Sequence, residues 1–145
     1  MIEERSAGVI LFNKTNGIQF LILKYPSGHW DFVKGNIEEG EKEKETVKRE
    51  LFEETGINSL QIHQGFNEKV EYNYYKKDIN KKNIKVHKIV SYYLAETDQK
   101  EVKLSFEHLD YKWSDYEDLM KLITFENSRE ILKKGNELIK NLTKN

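Results

Sequence analysis

The 145-residue chain contains no cysteine, which excludes disulfides and thiolate metal sites. Its one proline, Pro26, falls in a loop and interrupts no periodic segment. No run approaches the roughly 18 apolar residues that a membrane-spanning helix needs. The opening Met1-Ile-Glu-Glu-Arg5 also lacks the basic and apolar regions of a secretory leader. Neither sign of charge is in excess: 24 Lys and Arg oppose 25 Asp and Glu, for a formal net charge of -1. A chain so balanced has no global field to recruit nucleic acid or membrane, so any phosphate recognition must be local. These absences, with a length typical of one domain, lead to the expectation of a single domain over residues 1–145, cytoplasmic and monomeric.

What the chain does have is a dense, ordered run of acids. Residues 35–57 fit the pattern G-x5-E-x7-R-E-U-x-E-E-x-G-U, with U bulky and apolar. Its specified positions are Gly35, Glu41, Arg49, Glu50, Leu51, Glu53, Glu54, Gly56 and Ile57. The spacing predicts a helix from about Glu43 to Thr55, with Glu50, Glu53 and Glu54 sharing one face and Val47, Leu51 and Thr55 forming an adjacent buried stripe. Acids at i, i+3 and i, i+4 repel by roughly 0.2–0.5 kcal/mol per pair, so a counter-ion is expected among them. Hard oxygen donors of this kind suit Mg²⁺ or Mn²⁺. Taken alone, three helical glutamates also describe a solvated face.

The neighbouring positions have backbone and orienting roles. Gly56 fits a left-handed helix end, and Gly35 permits a sharp turn and close approach to an anion. Arg49, four residues before Glu53, can fix a carboxylate with its planar fork or form an ordinary surface pair.

Elsewhere, Ala7 to Phe12 and Ile18 to Leu23 read as a hairpin turning at Asn16-Gly17. Further strands are predicted at Leu60 to Phe66, Glu68 to Tyr75, Val86 to Ala95 and Tyr111 to Trp113. A helix is expected over Asp115 to Leu122, capped by Ser114, and another from about Asn127 to Leu142. The lysine-rich stretch Lys76 to Lys85 reads as a flexible hairpin tip.

The 35–57 pattern resembles the Nudix box of metal-dependent pyrophosphate hydrolases. A second layer of similarity covers most of the chain: His29-Trp30, Lys34-Gly35, Gly65-Phe66, Tyr74, Lys88, Tyr92 to Glu96, Ser105 to His108 and Tyr111 to Trp113. In these residues the chain resembles the asymmetric diadenosine tetraphosphate hydrolase branch. It departs from that branch at Phe32-Val33, where a proline is usual before Lys-Gly.

The resemblance implies an α/β (α+β) fold, a mixed sheet sandwiched between helices with a helix at the C-terminus. It assigns Mg²⁺, or Mn²⁺, to Glu50, Glu53 and Glu54, with Glu107 and Gly35 as further metal-binding positions. Catalytic work falls to the same glutamates and Arg49, with Glu107 as general base or additional ligand. His29, Lys34 and Lys88 match phosphate contacts, and Tyr74 and Phe125 match two rings that stack an adenine. The implied substrate is a small-molecule dinucleoside polyphosphate, split into a mononucleotide and a nucleoside triphosphate. Two alternatives stand beside it: another Nudix pyrophosphohydrolase, acting on a nucleoside triphosphate or an RNA 5′ end, and a non-catalytic nucleotide-binding regulator. Nucleic acid is expected only as such an RNA end, and membrane not at all.

Overall fold

Strand β1 (Ile2–Asn13) organises the molecule because residues 6–13 are buried on both faces. Such a strand needs covering layers above and below. Its even-numbered side chains Ile10 and Phe12 enter one apolar cluster, while Ala7, Val9 and Leu11 enter the other. The computed structural model describes residues 1–142. Along the chain β1 is followed by β2 (Gln19–Lys24), β3 (Trp30–Asp31), β4 (Val33–Asn36), α1 (Glu43–Thr55), β5 (Gln61–Ile62) and β6 (Glu68–Lys77). Then come β7 (Asn83–Glu96), β8 (Asp110–Ser114), α2 (Tyr116–Leu122) and α3 (Glu126–Leu142).

The sheet is mixed. β1 runs parallel to β7 from Ile2↔Val86 to Phe12↔Glu96, and antiparallel to β4 and β2 on its other side. β6 and β5 pair with β7, while β3 and β8 pair with β2. Helix α1 covers one face through Val47 and Leu51. Helices α2 and α3 cover the other through Leu119, Ile131, Leu132 and Ile139. This is the expected sandwich of a mixed sheet between helices, with α3 closing the chain.

Several boundaries differ from expectation. The predicted β1–β2 hairpin pairs at only two positions, Phe12↔Phe20 and Asn13↔Gln19, because β1 spends most of its hydrogen bonds on β7 and β4. That parallel ladder also extends β1 back to the polar Ile2-Glu3-Glu4-Arg5 segment, since backbone pairing does not require apolar side chains. Of the strand predicted over residues 60–66, only Gln61–Ile62 is present. Half of the lysine-rich stretch is ladder: pairing continues to Lys77↔Asn83, and the turn closes on Asp78, whose Oδ1 accepts from the amides of Asn80 and Lys82. The cap of α2 is Asp115, which accepts from Asp118 N at 2.9 Å, and Ser114 ends β8 instead.

Candidate active site

Helix α1 has the predicted bounds and ends at Gly56, whose φ of 75° is left-handed and whose amide donates to Phe52 O. Val47, Leu51 and Thr55 are buried as the spacing requires. The three glutamates are buried to different degrees. Glu54 is 6% exposed, the Glu50 side chain 17% and the Glu53 side chain 55%, so the acid face runs from core to solvent.

Gly35 lies on β4 opposite Ala7, facing this helix. A Cβ there would sit 2.1 Å from Glu50 Cδ and 2.3 Å from its Oε1. The glycine is therefore required because the Glu50 carboxylate fills the space where a side chain would begin.

Arg49 ties the site together. Its Nη1 donates to Glu50 at 2.8 Å and to Glu53 at 3.2 Å, its Nε donates to Glu41 at 2.7 Å, and its Nη2 reaches Glu41 and the Asn36 carbonyl at 3.0 Å. Arg49 therefore bonds three acids and a carbonyl at once rather than forming one isolated surface pair. These bonds from Arg49, with one from Thr46, hold the Glu41 carboxyl down at about 2, and the acids in turn raise the guanidinium. Glu50 moves the other way, to about 7, because burial disfavours its charge and Glu54 and Glu53 repel it, while Arg49 only partly offsets them.

Around these acids lies an open cavity of about 470 Å³, lined by Tyr25, Pro26, Lys34, Gly35, Asn36, Glu50, Glu54, Glu107 and His108. Glu107 sits on an exposed loop across from α1 and faces the same space. Among the described residues no three His, Asp or Glu side chains converge as a metal's ligands do, since Glu50 and Glu53 both turn to Arg49. The donor set nevertheless fits a hard dication: it is all carboxylate, Glu50 stays raised by burial and its neighbouring acids even with Arg49 beside it, and the buried Glu54 Oε2 has no hydrogen-bond partner.

A second cavity of about 240 Å³ adjoins the first through Lys34, which lines both. Its other walls are Asp31, Val70, Tyr72, Tyr92, Phe125, Asn127 and Ser128. Lys34 pairs with the buried Asp31 at 3.3 Å and lies 5.9 Å from the Tyr72 ring centroid. His29 stacks on Tyr25 at 4.6 Å and tilts against Phe125 at 5.1 Å, and burial lowers its pKa.

Phe125 reaches this cavity, but Tyr74 does not line it. Two residues earlier on the same sheet face, Tyr72 takes that place, and its ring centroid is 6.2 Å from that of Tyr74. The Tyr74 hydroxyl donates instead to Glu4 at 2.5 Å, beside Lys76 at 2.6 Å and Lys88 at 3.6 Å from the same carboxylate. Lys88 also donates to Asn36 Oδ1 at 3.1 Å, and burial lowers its pKa.

Sequence reasoning gave no role of their own to Tyr72, Asp31, Glu4 or His108, although His108 closes the Ser105 to His108 stretch that carries part of the resemblance. The contact of His108 with Glu54 had no local signal, because the two lie 54 positions apart. Tyr72 had a usable signal, the i, i+2 alternation that places it beside Tyr74.

Comparison with known proteins agrees with this geometry. A model described as the NUDIX domain matches residues 3–134. The chain is 32% identical over 148 residues to the asymmetrical bis(5′-nucleosyl)-tetraphosphatase of Sus scrofa, covering 93% of this chain and 95% of that protein. It is 34% identical over 116 residues to the RNA pyrophosphohydrolase of Nitratiruptor sp., covering 77% and 74%. The crystal structure of a C. elegans Ap4A hydrolase binary complex superposes with a TM-score of 0.80 at 31% identity, over 95% of this chain and 98% of that one. With the acid helix, the Gly35 cradle and the sandwich already in place, these matches make the chain a member of the Nudix hydrolase family.

Proposed function

We propose that the chain hydrolyses dinucleoside polyphosphates in a divalent-metal-dependent reaction, splitting diadenosine tetraphosphate asymmetrically into ATP and AMP. The observation that carries this reading is the pair of cavities joined at Lys34: one walled by Tyr72 and Phe125, the other by carboxylates. A base stacked between two rings and a polyphosphate leading from it past Lys34 to the acids is the substrate such a shape accommodates. Stacking contributes roughly 1–3 kcal/mol per base and tolerates any base, so the phosphate chain sets much of the selectivity.

Lys34, Lys88 and His29 bind and orient phosphate oxygens, as point charges and as a hydrogen-bonding ring. Glu50, Glu53 and Glu54, with Gly35, would hold Mg²⁺ or Mn²⁺, which when bound supplies charge neutralisation and a more acidic water. Arg49 sets the rotamers of Glu50 and Glu53 through its bonds at 2.8 and 3.2 Å. Glu107, on the far wall and outside the Arg49 contacts, takes the proton of the attacking water. Water oxygen then bonds to one phosphorus as the bridging bond on its far side breaks, and the leaving phosphate carries away the electron pair.

Parallel measurement of kcat/KM for diadenosine tetraphosphate, 5′-triphosphorylated RNA and ATP tests this reading. A preference of at least about tenfold for the dinucleotide is expected, because only it fills the aromatic cavity and spans the acids at once. A higher value for the RNA end would replace this reading with RNA pyrophosphohydrolase activity. No turnover of any of them under Mg²⁺ or Mn²⁺ would favour a binding regulator.

A further inference from the structure

We propose that His108 is a positioning residue, a buried latch that fixes the Glu54 carboxylate and the loop bearing Glu107 in one geometry. This rests on the reading that those acids form the metal-dependent site. His108 is 8% exposed, and its Nε2 lies 2.5 Å from Glu54 Oε1. The Nδ1 atom is buried with no hydrogen-bond partner. Tyr25 packs edge-on against the imidazole at 4.7 Å and 87°, and its own hydroxyl is held by Phe32 O, so the ring has little freedom to turn.

The backbone explains why this contact matters beyond packing. Loop amides Lys103 and Ser105 donate to Thr55 O and Glu54 O at the end of α1, and Leu109 donates to Lys24 O. The two ends of the loop are therefore docked without His108. Between them, the bond to Glu54 joins this loop's side chains to the acid helix. It satisfies one carboxylate oxygen and leaves Oε2 unpartnered in the cavity wall, while holding Glu107 one residue away from the fixed ring. Groups that orient a ligating carboxylate from behind typically change metal affinity or activity by about 10- to 100-fold when removed.

Three variants separate positioning from bulk. H108L keeps an apolar filler, H108Q keeps a donor at about the reach of Nε2, and H108N keeps polarity but is too short to reach Oε1. Mn²⁺ binding, read by electron paramagnetic resonance of the free ion, is measured with kcat, KM and thermal melting. H108L and H108N are expected to bind Mn²⁺ about 10- to 100-fold more weakly and to lose kcat similarly, with KM changed less than about threefold. H108Q should recover most of both losses. Wild-type affinity and kcat in H108N would overturn the latch, as would an H108Q protein that loses as much as H108N. Should H108L fail to fold, the H108Q and H108N pair still decides. A wild-type protein that binds no Mn²⁺ would instead refute the metal-site reading beneath it.

Discussion

Gly35→Ala is expected to disturb the site while sparing the fold. The added methyl carbon would lie 2.1 Å from Glu50 Cδ, 2.3 Å from Oε1 and 2.5 Å from Cγ. Ordinary contact begins near 3.4 Å, so the carboxylate must retreat by more than 1 Å. It can do so, because it is the end of a flexible side chain, and Gly35 sits in a paired strand where alanine is conformationally acceptable. Stability should thus change by less than about 1 kcal/mol, since relief of glycine's backbone entropy offsets part of the lost Glu50–Arg49 contact. Activity should fall about 100-fold, the typical effect of misplacing a reacting group by that distance. Gly8→Ala provides the contrast. There the new carbon meets the Tyr92 ring at 2.7 Å and Lys34 Cβ at 3.0 Å, and the buried ring has nowhere to move. Overpacking of that kind destabilises by about 1–3 kcal/mol. The assay is thermal melting beside kcat on diadenosine tetraphosphate for both variants. A folded Gly35→Ala protein with wild-type kcat would show that Glu50 is not where the reaction needs it.

Other consequences follow from the same geometry. Tyr72→Ala and Phe125→Ala should each raise KM by about 5- to 150-fold through lost stacking, whereas Tyr74→Ala should change it less than about threefold; steady-state kinetics on the three proteins checks which tyrosine faces the base. Arg49→Lys should lower kcat about 10- to 100-fold despite keeping the charge, because one ammonium cannot hold Glu41, Glu50, Glu53 and the Asn36 carbonyl together; rate measurements with melting controls test it. Glu4 is held down to about 2 from 4.5, chiefly by its bonds from Lys76 and Tyr74. A lowered folded pKa stabilises above the unfolded value and is lost as pH falls through the folded one, so wild type should exceed Glu4→Gln by about 1 kcal/mol at pH 7 after solvent screening. That margin should shrink between about pH 4.5 and 2 in urea melts, and a margin independent of pH would contradict the assignment.

The acid helix was legible because its information is local. Arg49, Glu50, Leu51, Glu53, Glu54 and Gly56 occupy two turns and one cap, so helical periodicity alone fixes their relative positions. The sandwich itself came from family resemblance, since nothing local in Ile2–Asn13 announces a parallel partner at Asn83–Glu96 some eighty residues away. Tyr74 was named through resemblance, and alternation alone does not separate it from Tyr72 on the same sheet face; in the fold Tyr72 lines the cavity with Phe125 while Tyr74 bonds Glu4. Ser114 and Asp115 are both good cap residues, and the strand claims Ser114 before the helix begins. The Glu54–His108 and Glu4–Lys88 contacts join segments whose proximity exists only in the folded chain.

The most direct test of the central claim is to incubate the purified protein with diadenosine tetraphosphate and Mg²⁺, with and without EDTA, and to resolve the products by anion exchange. Equimolar AMP and ATP, abolished by the chelator, is the predicted result. Two molecules of ADP, or cleavage that survives EDTA, would contradict it.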